Sequence, residues 1–124
     1  MITELLLALT IYLEAEGESF KGKQAVANVL YNRSNKTIEG MTTVALQTKQ
    51  FSCWNDNNYV LKRLACLNGK QFAFSCLALL KCKEDITGGA THYTTIKTKR
   101  VWMKSMRRTV IIGKHKFMKE RKSK

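Results

Sequence analysis

From Ile2 to Arg33 the apolar positions recur with a helical period. Leu7 and Ile11 share a face with Glu14 and Glu18, at spacings of four, three and four, while Ile2, Leu5, Leu6, Leu9 and Leu13 form a second apolar face almost opposite. A helix apolar on two sides is buried, and the pattern stops at Gly17. Ser19 then reads as the start signal of a second helix over 22–33. Its buried stripe is Ala25, Val26, Val29 and Leu30, and Gln24, Asn28, Tyr31 and Asn32 give it an uncharged polar face. That face suits hydrogen bonding to a neutral ligand such as a sugar, and equally suits an ordinary helix surface.

Residues 34–58 read mainly as loop, with a short helical piece over 42–47. Two more helices are expected over 59–67 and 71–81, parted by the stop signal Asn68-Gly69, with Leu61, Leu64, Ala65, Phe72, Phe74, Cys76, Leu77, Leu79 and Leu80 as core material. A turn over 85–89, ending in two glycines, delivers a strand over 90–94 that puts His92 and Tyr93 on opposite faces. Trp102 begins a short helix through Arg108. The β-prone runs 109–112 and 115–118 flank Gly113-Lys114, which predicts a hairpin with a type II′ turn. The expected fold class is α+β, mainly α, as a single domain over 1–118 with a frayed basic tail over 119–124.

With 124 residues the chain suffices for one core. Its formal charge of +13 points to a polyanionic partner or surface, for which nucleic acid, teichoic acid, lipopolysaccharide and anionic membrane all qualify. Residues 1–20 hold four Glu and no Lys or Arg, whereas 91–124 hold twelve Lys or Arg against Glu120 alone, so acidic and basic features come from opposite ends. The apolar N-terminus lacks a basic leader and carries Glu4, which argues against a signal peptide or spanning helix and for synthesis in the cytoplasm. Cys53, Cys66, Cys76 and Cys82 form no CxxC pair, so a zinc site is not expected and reduced core cysteines are.

Glu14 is the residue with the least comfortable position. Burial, the carboxyl end of a helix and the like charges of Glu16 and Glu18 all favour its neutral form. A carboxyl kept neutral in this way donates a proton near neutral pH, which nominates Glu14 as a general acid. The same three glutamates would also suit a solvated loop and helix end. Further on, Gln50, Phe51, Ser52, Cys53, Trp54, Asn55 and Asp56 have the composition of a carbohydrate subsite wall or of an aromatic loop anchor, with Trp54 the better ligand contact.

Four ordered blocks, IYLEAEGES…GKQAVANVLYNR, QFSCWND, GGATHY and W…RRTVIIGKHKF, resemble the cell-wall hydrolase family of the spore cortex-lytic enzymes SleB and CwlJ, from about Leu7 to Phe117. The resemblance implies a peptidoglycan-cleaving domain with a lysozyme-like arrangement of helices and a small β element. It implies cleavage of the β-1,4 bond between N-acetylmuramic acid and N-acetylglucosamine. The family's E-A-x-G-E motif places its catalytic glutamate on Glu14 and its second on Glu18, and Gln50, Ser52, Trp54, His92 and Tyr93 would line the glycan groove. The chain departs from the family pattern at Leu13, where Gly is common, at Glu16, where a basic residue is common, and at Met118, where an aromatic is common.

The reaction implied is that of a lytic transglycosylase, with Glu14 as acid and then base and no metal or organic cofactor. A hydrolytic alternative uses Glu18 or Asp56 as second carboxylate, and Glu14 and Glu18 at i and i+4 would meet the retaining spacing of about 5 Å if the helix continued through Gly17. A basic nucleic-acid-binding module is the reading from another class, supported by charge with Tyr93, Trp102 and Phe117 but by no recognisable nucleic-acid motif. The expected partners are peptidoglycan strands and anionic envelope polymers, met as a monomer at the bacterial wall. A single small lytic domain resembles a phage endolysin, and its activity would fall with salt.

Overall fold

The computed structural model describes residues 2–47 and 57–121. The two-faced pattern of the first helix, α1 (Ile2–Glu14), is used on both sides. Leu7, Ile11 and the following Ala15 enter the main core with Val26, Ala27, Leu30, Met41, Val44, Ala45, Ala78 and Cys82. On another side Tyr12 and Leu13 are buried against Phe72. Leu5, on the predicted second face, is half exposed. The chain leaves the helix through Gly17, whose φ of +78° lies in the left-handed region that glycine enters without a Cβ clash.

The second helix, α2 (Phe20–Arg33), is the centre of the molecule. Ser19 is its N-cap, its side chain accepting from the Gly22 N–H, and every residue from 22 to 30 is buried. One side of α2 gives Val26, Ala27 and Leu30 to the helical core, and the other gives Ala25 and Val29 to a second core with Ala90, Ile112 and Phe117 of the sheet. Helices α3 (Ile38–Leu46) and α5 (Gly69–Leu80) pack on α1 and α2, and α4 (Asn57–Ala65) precedes α5.

The strands β1 (His92–Thr95), β2 (Met106–Ile112) and β3 (His115–Glu120) form an antiparallel sheet in the order β1-β3-β2. The β2–β3 hairpin turns at Gly113-Lys114, with Gly113 at φ +59° and Lys114 outside the left-handed region, as a type II′ turn requires. A bulge at Thr109 shifts the register between Arg108 and Val110. A 3₁₀ turn, Val101–Ser105, precedes β2.

Several expectations are corrected. The third helix begins at Ile38 because Thr37 caps it, accepting from the Gly40 N–H. Asn68 starts α5 rather than stopping α4, since its Oδ1 accepts from the Gln71 N–H at 3.0 Å. The segment after Trp102 is strand from Met106 onward, drawn into pairing with β3. Lys119 and Glu120 belong to β3 rather than to a frayed tail.

Leu61, Ala65, Leu77 and Leu80, expected in the core, are exposed, and Cys66 is exposed while Cys82 is buried. Helix α5 instead turns the small Ser75 and Ala78 inward, which lets it approach α1 and α2 closely. Burial pushes the Cys82 thiol above its ordinary pKa.

Candidate active site

Glu14 is the last residue of α1 and is half-buried where the helices meet the sheet. The Tyr93 hydroxyl donates to its Oε1 at 2.5 Å. The Tyr93 ring is held in turn by its cross-strand partner Phe117, stacked at 5.6 Å, and by the His115 ring, edge-on at 5.3 Å. His115 Nδ1 lies 3.7 Å from Glu18 Oε2. The two motif glutamates are thus linked through side chains of β1 and β3.

Glu18 is 8% exposed and wedged between the start of α2 and the hairpin turn. A Cβ at Gly22 would stand 2.8 Å from the Glu18 Cβ and Oε1, and one at Gly113 would stand 2.1 Å from Oε1. Glycine at both positions therefore makes the room that Glu18 occupies. Because α1 ends at Glu14 and Gly17 takes a positive φ, the i, i+4 spacing considered for a retaining pair does not apply. Glu16 turns away and pairs with Arg63 of α4, accepting from Nε at 2.7 Å.

Beneath this turn lies a residue that the hydrophobic pattern does not reveal. Lys23 is fully buried and its Nζ donates to the carbonyls of Glu18 at 2.7 Å and Ala15 at 3.2 Å, so it caps the exit from α1. Burial lowers its pKa, and Glu18 and Glu16 act in the opposite direction. A lysine inside an otherwise apolar stripe is the signal that could have marked it.

The amide face of α2 has a structural use. Gln24 Nε2 donates to the Glu84 carbonyl, and Asn28 Nδ2 donates to the carbonyls of Cys82 and Glu84 while its Oδ1 accepts from the Ile86 N–H. Asn32 Nδ2 donates to the Ala90 carbonyl and to Asp85. Asp85 also accepts from the Thr87 N–H, the Thr87 hydroxyl and the Gly89 N–H. Burial would raise the Asp85 carboxyl, but these hydrogen bonds outweigh it and hold the pKa below its ordinary value. The amides thus fix the loop that delivers Tyr93, with Gly88 and Gly89 at positive φ as the turn needs.

His92 and Tyr93 point to opposite faces of the strand. The His92 ring lies 5.4 Å from that of Trp102, and its Nδ1 is 2.9 Å from the Thr91 hydroxyl. Burial and the nearby Arg33 guanidinium lower the His92 pKa, with Glu120 opposing. Arg33, the last residue of α2 and of the motif VLYNR, acts electrostatically on both His92 and Tyr93 and was not singled out by the sequence pattern. Gln50, Ser52, Trp54 and Asp56 lie outside the described residues. Among the described residues no three His, Cys, Asp or Glu side chains are grouped to hold a metal ion, and no helix is long and apolar enough to cross a membrane.

The family model described as cell wall hydrolase matches residues 17–118. Among solved structures, the catalytic domain of the germination-specific lytic transglycosylase SleB from Bacillus anthracis is 26% identical with a TM-score of 0.71, covering 94% of this chain and 93% of that one. The catalytic domain of the Bacillus cereus SleB protein is also 26% identical, with a TM-score of 0.72 and coverage of 96% and 91%. No curated protein sequence gives a match. The chain belongs to the cell wall hydrolase family, and its fold is the lysozyme-like fold of the SleB catalytic domain. It is an enzyme that acts on peptidoglycan.

Proposed function

We propose that the protein is a lytic transglycosylase that cleaves the β-1,4 bond between N-acetylmuramic acid and N-acetylglucosamine, with Glu14 as its catalytic residue. The observation that carries this reading is the Tyr93–Glu14 hydrogen bond at the seam between helices and sheet, in a chain similar to a domain described as a lytic transglycosylase. The Glu14 carboxyl gives its proton to the glycosidic oxygen, the bond from that oxygen to the muramic C1 breaks, and the N-acetylglucosamine leaves with a free 4-hydroxyl. The Glu14 carboxylate then takes the proton of the muramic 6-hydroxyl, whose oxygen bonds C1 to close a 1,6-anhydro ring. No water is consumed and one carboxyl serves both steps.

Tyr93 holds one oxygen of that carboxyl in place through both proton transfers. Glu18, with His115 beside it, acts as a positioning residue behind Tyr93. His92 lies on the opposite face of β1 from Tyr93, with its ring against that of Trp102. A turbidity assay on purified peptidoglycan tests the assignment. Wild type clears the suspension, and Glu14→Gln, folded by circular dichroism, clears it at least ~100-fold more slowly, a loss in the range expected for a missing general acid. Undiminished clearing by Glu14→Gln would remove Glu14 from the reaction.

A further inference from the structure

Between β1 and β2 the chain presents exposed apolar and basic side chains that the proposed reaction does not use. Ile96, Val101 and Trp102 keep 42%, 83% and 42% of their area exposed. Beside them Lys99, Arg100 and Lys104, with Met103, line a cavity of about 240 Å³. Among the described residues none of these three cations pairs with a carboxylate, and residues 91–119 contain no Asp or Glu at all. The segment holds its own shape. The Thr98 N–H donates to the Thr95 carbonyl, the Met103 N–H to the Arg100 carbonyl, and the Ser105 hydroxyl to the Trp102 carbonyl.

We propose that this tip docks on an anionic lipid bilayer, with Lys99, Arg100 and Lys104 reaching headgroup phosphates and Val101 and Trp102 in the interfacial layer. Single exposed apolar residues are ordinary, but here three of them adjoin unpaired cations. A polyanion such as a phosphate polymer would satisfy the cations and leave Val101 and Trp102 in water. A bilayer surface takes both, since tryptophan favours the headgroup level and lysine and arginine reach lipid phosphates while their stems lie along apolar surface. The proposal is independent of the Glu14 chemistry.

The test is cosedimentation of the 124-residue protein with vesicles, beside binding to inorganic polyphosphate. Wild type binds vesicles of phosphatidylcholine and phosphatidylglycerol in equal parts and not those of phosphatidylcholine alone. Lys99→Gln/Arg100→Gln/Lys104→Gln weakens vesicle binding about a hundredfold at low salt, at about fivefold per basic residue near the surface. Ile96→Ser/Val101→Ser weakens vesicle binding about tenfold while leaving polyphosphate binding and clearing of purified peptidoglycan unchanged. Polyphosphate binding together with vesicle binding that ignores Ile96→Ser/Val101→Ser would make the tip a polyanion site and overturn the proposal. So would a wild type that leaves the anionic vesicles unbound. Vesicle binding is read without glycan, so neither result touches the Glu14 assignment.

Discussion

The Tyr93 hydroxyl reaches Glu14 Oε1 at 2.5 Å across 79 positions of sequence, joining the end of α1 to a strand of the sheet. Tyr93→Phe keeps the ring that stacks on Phe117 and removes only the donor. We expect kcat to fall about 10- to 100-fold with KM little changed, because the carboxyl loses its fixed orientation rather than its proton. Steady-state kinetics on purified glycan, with a thermal melt as control, decide it. An unchanged kcat would show that the bond does not position Glu14.

Asn28 spends both ends of its amide on the loop before β1, and it is fully buried. Asn28→Ala leaves the Cys82 carbonyl and the Ile86 N–H without that partner, at a cost of about 2–4 kcal/mol. Urea denaturation should show the midpoint falling by a corresponding amount. Activity should fall at urea concentrations below the global transition, since the same loop carries Tyr93.

Lys23→Met keeps most of the side-chain volume and removes the ammonium that caps the α1 exit. Hydrogen bonds from a charged donor contribute about 1.5–3 kcal/mol, so stability should drop by about that amount. A variant as stable as wild type would mean that the burial cost of the ammonium cancels its two bonds. Denaturant unfolding of the two proteins side by side measures the difference.

Much of this arrangement is local and was readable from the chain. The two-sided apolar pattern gave α1, Ser19 gave the cap of α2, and Gly113-Lys114 gave the hairpin, because each depends on residues within a few positions. Gln24, Asn28 and Asn32 could not be read in the same way. Their partners lie 53 to 60 positions away, so an amide face that serves the loop looks in sequence like one that serves solvent or a sugar. Helix α5 misled for a related reason. Its leucines are larger than its small residues, yet close packing on α1 and α2 selects Ser75 and Ala78 for the inside. Glu14 and Glu18 were legible as a pair by motif, whereas their link through Tyr93 and His115 exists only once β1 and β3 are paired.

His92 supplies a pH dependence. Burial and Arg33 set its folded pKa below the unfolded value of about 6.5, so between the two values the unfolded chain binds the extra proton. Stability is therefore fullest above about pH 6.5 and declines as pH falls through that value toward the folded pKa. His92→Gln should flatten this part of the melting profile, and the His92 ring signal in NMR should titrate below the free-histidine value. A ring titrating at or above that value would contradict the assigned surroundings.

The most direct measurement of the central claim is the mass of the muropeptides released from purified peptidoglycan by wild type and by Glu14→Gln. Wild type should release fragments that end in 1,6-anhydro-muramic acid, one water lighter than hydrolytic ends, and Glu14→Gln should release almost none. Products with only hydrolysed, reducing muramic ends, or anhydro ends formed as fast by Glu14→Gln, would contradict it.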